Sequence, residues 1–174
     1  MYVYTIHERL GNPRGCAIIG ESRGNFTTNR SRTENMDGHL GEFGPYLRFL
    51  ADEMGLRDWT VQLECGPLEN AEHVAEIQRI YGRKHARIRV SPEFWTEHPE
   101  RQAQTLIHEL LHCHFAGVQD AGVILGGVLH RKAYAAWHPP FEHQVEYAVD
   151  ALAGVLARLL PPLTQGTEES PADR

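Results

Sequence analysis

Residues 108–112 read His-Glu-Leu-Leu-His, two histidines four apart with a glutamate beside the first. On an α-helix that spacing brings both imidazoles to one face, within reach of a single cation, and leans Glu109 toward the cation's open side. The chemistry this predicts is zinc hydrolysis. Two neutral imidazoles and a third protein ligand hold Zn²⁺, and an open position takes a water whose pKa falls to about 7. His108 and His112 are the candidate metal ligands and Glu109 the candidate general base. The third ligand must come from another element. Glu146 and Asp150 stand four apart in EYAVD, with Glu142 one turn earlier. At about 100° per residue these acids flank the apolar stripe of Val145, Val149 and Leu152, whereas a merely solubilising acidic face would point away from it. We expect Glu146 to be the ligand and Asp150 to accept the N–H of a ligating histidine, fixing its tautomer. Glu142 is the alternative ligand.

The elements that must position these residues are readable in outline. Leu106, Ile107, Leu110, Leu111 and Phe115 give the HExxH segment an apolar helical face, opened by Pro99 and closed near Gly117. Phe141, Val145, Val149, Leu152, Leu156 and Leu159 predict a last helix that starts after Pro139 and Pro140 and stops before Pro161. Upstream, Tyr46, Leu47, Leu50 and Met54 predict a helix over 45–54 that Gly55 ends. Trp59, Val61, Leu63 and Cys65 alternate with polar residues, predicting a strand over 58–65. Residues 74–90 predict two more strands joined near Tyr81–Lys84, with a helical reading of 70–80 as the alternative. Ser91-Pro92-Glu93 predicts a short helix through Trp95. Glycines at 122, 126 and 127 interrupt the apolar run of 118–138, and no element is assigned there. The expected fold is α+β, a small twisted sheet of about three strands packed against the HExxH helix and a C-terminal ligand-bearing helix.

The chain's 174 residues suit one domain. The expected division is a peripheral or partly disordered segment 1–41, a working domain 42–161, and a disordered tail 162–174 rich in Pro and polar residues. Lysine and arginine number 17 against 23 acids, a net charge of −6, which disfavours a general nucleic-acid coat. Three widely spaced cysteines exclude a disulfide framework and a thiolate zinc knuckle. With no leader-like apolar region and no run of roughly 18 apolar residues, a cytoplasmic protein without a membrane partner is expected. Eleven histidines are the one compositional excess.

HELLH on one helix with ExxxD on a later one resembles the gluzincin branch of zinc metallopeptidases. The wider run DWTVQL, GRKHARIRV, PERQAQTLIHELLHCHF and EHQVEYAVDALA, over roughly 58–160, is similar to minimal gluzincins of the SprT-like and bacteriophage-encoded kind. The resemblance implies zinc ligands at His108, His112 and Glu146, a general base at Glu109, a supporting carboxylate at Asp150, and a peptide or protein substrate. It also implies an extended substrate added to the edge strand beside the cleft, expected here to be 86–90. The first 40 residues carry no resemblance. A catalytically silent zinc-stabilised binding or regulatory module is the alternative, as is a selective regulatory peptidase resembling the ImmA/IrrE type.

Other conspicuous residues have blander readings. His114 stands about 200° around the helix from His112 and is expected to face away from the metal. Cys113 reads as a small buried residue, and the loop and helix-start histidines His130, His138 and His143 as non-ligands. Arg131, Tyr134, His138, His143 and Tyr147 are unranked candidates for a transition-state oxyanion donor. Arg79, Arg83, Lys84, Arg87 and Arg89 form a basic cluster that suits weak nucleic-acid contact, although alternate arginines on a strand are also an ordinary solvated face.

Overall fold

Alternation in HARIRV turns Ala86, Ile88 and Val90 into the core and Arg87 and Arg89 outward, and this segment is the middle of the sheet. The computed structural model describes residue 41 and residues 43–163. Helix α1 covers 43–53. Strands β1 (Thr60–Cys65), β2 (Ala75–Arg79) and β3 (His85–Val90) follow, then a 3₁₀ turn (Pro92–Thr96) and helices α2 (Pro99–His114), α3 (Ala116–Val128) and α4 (Arg131–Leu156). The architecture is α+β: among the described residues, four helices and a three-stranded mixed sheet.

The sheet order is β1-β3-β2, with β1 parallel and β2 antiparallel to β3. The expectation that 86–90 is the edge beside the cleft is therefore wrong, and β2 holds that place against α2. Hydrophobic alternation fixes which face a strand buries, not which neighbours it takes. The Ser91 N–H donates to Val74 O at 2.9 Å and the Ile80 N–H to His85 O at 3.0 Å. Even-numbered residues of β2 thus spend their backbone groups on β3, and Ala75, Ile77 and Arg79 turn theirs toward the free edge.

Phe43, Leu47 and Leu50 of α1, Ile88 and Val90 of β3, and Leu106, Ile107 and Leu110 of α2 form a continuous core with Val145 and Val149 of α4. Gly55 ends the turn after α1 at φ 75°, a left-handed conformation that favours glycine. Ser91 occupies the N-cap of the 3₁₀ turn, but its hydroxyl makes no capping bond.

Two helix boundaries differ from expectation. The HExxH helix stops at His114, and after Phe115 (φ −84°, ψ 1°) the unassigned stretch forms α3. The last helix begins at Arg131 and carries Pro139 and Pro140 inside it. An interior proline costs roughly 3 kcal/mol, and here it is offset by the packing of α4's first turns on α3. A Cβ at Gly122 would stand 2.8 Å from the Phe141 ring and one at Gly126 3.0 Å from Tyr134, so these glycines let two aromatic rings sit down on α3. Trp137 stacks on Phe141 with ring centroids 4.6 Å apart. The glycines that broke the sequence pattern are the packing surface.

The expected segments 1–41 and 162–174 lie outside the described residues, apart from residues 41, 162 and 163. No helix among the described residues is long and apolar enough to cross a membrane.

Candidate metal centre

Helix α2 presents His108 and His112 from successive turns toward α4, which presents Glu146 from the flank of its buried Val145–Val149 stripe. One ligating atom from each of the three lies within 4.8 Å of the others. The two Nε2 atoms are 3.3 Å apart, and Glu146 Oε2 and Oε1 are 3.5 Å and 3.7 Å from His108 Nε2 and His112 Nε2. Donors at about 2.0–2.1 Å from a tetrahedral zinc stand about 3.3 Å from one another, so this spacing and this nitrogen and carboxylate set fit the ion. Among the described residues no other group of three such side chains comes together.

Each imidazole is oriented from behind. His108 Nδ1 lies 2.9 Å from Asp150 Oδ1; an N–H there points the Nε2 lone pair at His112 and Glu146. Burial opposes charge on His108, but the Glu146 hydrogen bond and the charges of Glu109, Glu146 and Asp150 outweigh it and raise its pKa. His112 is 2% exposed. Burial pushes it down to about 4, against the pull of Glu146, and so keeps it in the neutral form a metal needs.

Glu109 leans from α2 toward the free edge of β2, where the Ile77 N–H bonds its carboxylate. Burial raises its pKa to about 7; Glu146 and Glu76 add to the rise, and His108 and the Ile77 N–H oppose it. A carboxylate poised near neutrality takes and returns a proton with little loss either way.

Every residue expected at the site arrives there: His108, His112 and Glu146 converge, Asp150 backs His108, and Glu109 stands beside them. Glu142 does not join them. It is buried one turn away with its Oε1 3.4 Å from His138 Nε2, and its Oε2 has no hydrogen-bond partner. Of the oxyanion candidates, His143, Arg131 and Tyr147 face solvent, and Tyr134 packs on His138 with centroids 4.8 Å apart. His114 is exposed, as expected. Burial pushes the Cys113 thiol up to about 12, leaving no thiolate for chemistry at neutral pH.

Two further participants were not placed at this centre by sequence reasoning. Gln119 is 4% exposed, with its Nε2 3.5 Å from His112 Nδ1. Its Oε1 accepts from Arg79 Nη2 at 3.1 Å, and Arg79 Nη1 is 3.4 Å from Asp120 Oδ1. Arg79, expected on a solvated face, is instead 14% exposed and turned into the fold. Arg79 keeps the inward parity of Ala75 and Ile77 and lies across from buried Ala86, so the strand's own period of two, and not the arginine cluster, decides which way it faces. Lys84 pairs with Asp58, Arg87 with Glu64 and Arg89 with Glu76, so most of the basic cluster is already neutralised by acids.

Comparison of the chain with protein families, with curated proteins and with solved structures returns no match.

Proposed function

We propose that the chain is a zinc metalloendopeptidase of the gluzincin type, working in the cytoplasm on a peptide or protein substrate. The observation that carries this reading is the convergence of His108, His112 and Glu146 at the spacing of a zinc coordination sphere, with a buried carboxylate alongside. Zinc, when bound, polarises the scissile carbonyl and acidifies water. His108 and His112 hold the ion, one kept in register by Asp150, the other kept neutral by burial. Glu109 takes the proton of the attacking water and delivers it to the leaving amine. The free edge of β2, where Ala75 and Arg79 present backbone groups on either side of the Ile77 N–H that Glu109 occupies, receives the substrate as an added strand. The resemblance to SprT-like and bacteriophage-encoded enzymes fits the same set of residues.

A catalytically silent zinc module would need the three ligands but has no use for Glu109 or for an open approach to it. Glu109→Gln separates the two readings. It keeps the ion and the fold and, if the chain is a peptidase, lowers peptide cleavage by at least about a hundredfold. Undiminished cleavage by that variant sinks the mechanism, and zinc-loaded parent protein that leaves an unselected peptide library intact favours the silent module.

A further inference from the structure

A groove of about 320 Å³ leads from the metal centre toward the N-terminal end of α2. Its floor is one helical stripe of α2, Arg101, Gln104, Thr105 and His108, at the three, four and seven spacing that shares a face. Val74 and Ala75 of the sheet edge form one wall, Asp150 and Ala153 of α4 the other. The groove has a chemical polarity. At the inner end Glu109 and Asp150 are acceptors; at the outer end stand the amide of Gln104, the hydroxyl of Thr105 and the guanidinium of Arg101. Arg101 Nη1 donates to Gln104 Oε1 at 3.2 Å, which holds the guanidinium at the groove. No acid among the described residues forms an ion pair with it.

Seven residues of helix separate Arg101 from His108, about 10 Å at 1.5 Å per residue, the length of about three residues of extended peptide. A strand added to the free edge of β2 pairs best antiparallel. It then runs from Arg79 toward Ala75, so its C-terminal side enters the groove. We propose that Arg101 is a specificity-determining residue that receives a carboxylate carried by the substrate about three residues to the C-terminal side of the scissile bond. An acidic side chain at that position and a chain end at that position offer the same group. The proposal rests on the peptidase reading for its register and on the groove for its chemistry.

The test uses the zinc-loaded full chain and its Arg101→Ala and Arg101→Glu variants. Four matched peptides carry, at the third position beyond the cut, an internal Asp, an internal Lys, a free C-terminus, or an amidated C-terminus. The parent is expected to favour the Asp peptide over the Lys peptide, or the free over the amidated end, by about tenfold in KM, the scale of a charge-assisted contact in an open groove. The arm with the larger difference names the source of the carboxylate. Arg101→Ala should erase the preference with kcat little changed, and Arg101→Glu should reverse it toward Lys. Equal KM values for all four peptides, or a preference unaltered in Arg101→Glu, overturn the proposal while leaving the peptidase reading intact. If no peptide is cut, that reading fails by itself, and binding of the Asp and Lys peptides, measured by calorimetry, decides the groove. Discrimination lost in Arg101→Ala upholds a carboxylate site, and equal binding by both proteins overturns it.

Discussion

His108 and His112 are the same side chain one turn apart, but their surroundings prepare them differently. The proton of His108 Nδ1 is held by Asp150, whose side chain is 72% exposed, so the contact adds little to folding and its value lies in aiming the ring. Asp150→Ala should therefore leave thermal stability within about 0.5 kcal/mol and weaken zinc retention about 10–100-fold in competition with a chelator. An unchanged zinc affinity would show that the bond does not orient the ligand. Behind His112 the carboxamide of Gln119 stands 3.5 Å from Nδ1. A ring that ligates through Nε2 carries its proton on Nδ1 and needs an acceptor. A half-turn of the Gln119 amide supplies one and leaves Arg79 to Asp120. Gln119→Ala should loosen zinc by about tenfold or more and alter the visible spectrum of the cobalt-substituted protein, whereas Asp120→Asn should do neither. His108, His112, Glu146 and Asp150 were legible because a spacing of four puts each pair on a common helical face, and Glu109 because it adjoins the first histidine. Gln119 was not, because the break at Phe115 removes it from the periodicity of α2.

At the scale of elements, the α3–α4 pairing turns on two glycines. Gly122→Ala drives a Cβ to 2.8 Å from Phe141, so the ring must move, and a loss of about 1–3 kcal/mol is expected in urea unfolding. Gly127, in the same helix, meets nothing within 4 Å, and Gly127→Ala should gain about 0.5–1 kcal/mol from helix propensity alone. Equal effects of the two substitutions would refute a packing role for Gly122. The strands and α2 were visible in the sequence because each buries one face at a regular period. The start of α4 was hidden by Pro139 and Pro140, whose local preference to end a helix is overridden by aromatic packing that no periodicity records. Strand order was equally hidden: the β1–β3 pairing skips a strand, and nothing in either segment's pattern specifies it.

Across the whole molecule, Tyr46 of α1 ties the front of the described chain to its end, its hydroxyl donating to Pro161 O at 2.9 Å. Burial pushes this phenol from 10.0 up to about 12. Between those values the unfolded chain ionises while the folded one stays protonated, so stability is full below about pH 10 and is lost as pH rises toward about 12. Tyr46→Phe should cost about 1 kcal/mol at neutral pH and flatten that part of the alkaline decline in a urea-midpoint titration. A decline of unchanged slope would assign it to other groups. All three candidate metal ligands come from α2 and α4, which already meet through Leu106, Ile107, Leu110, Val145 and Val149. The sheet offers no ligand to this group, and a bound ion would act as a rivet through a joint that apolar contact has closed beforehand. Stripped by a chelator, the chain should keep its far-ultraviolet dichroism and melt at a lower temperature, then recover on adding zinc without having to refold. Scarcity of the metal would then idle such a protein rather than destroy it.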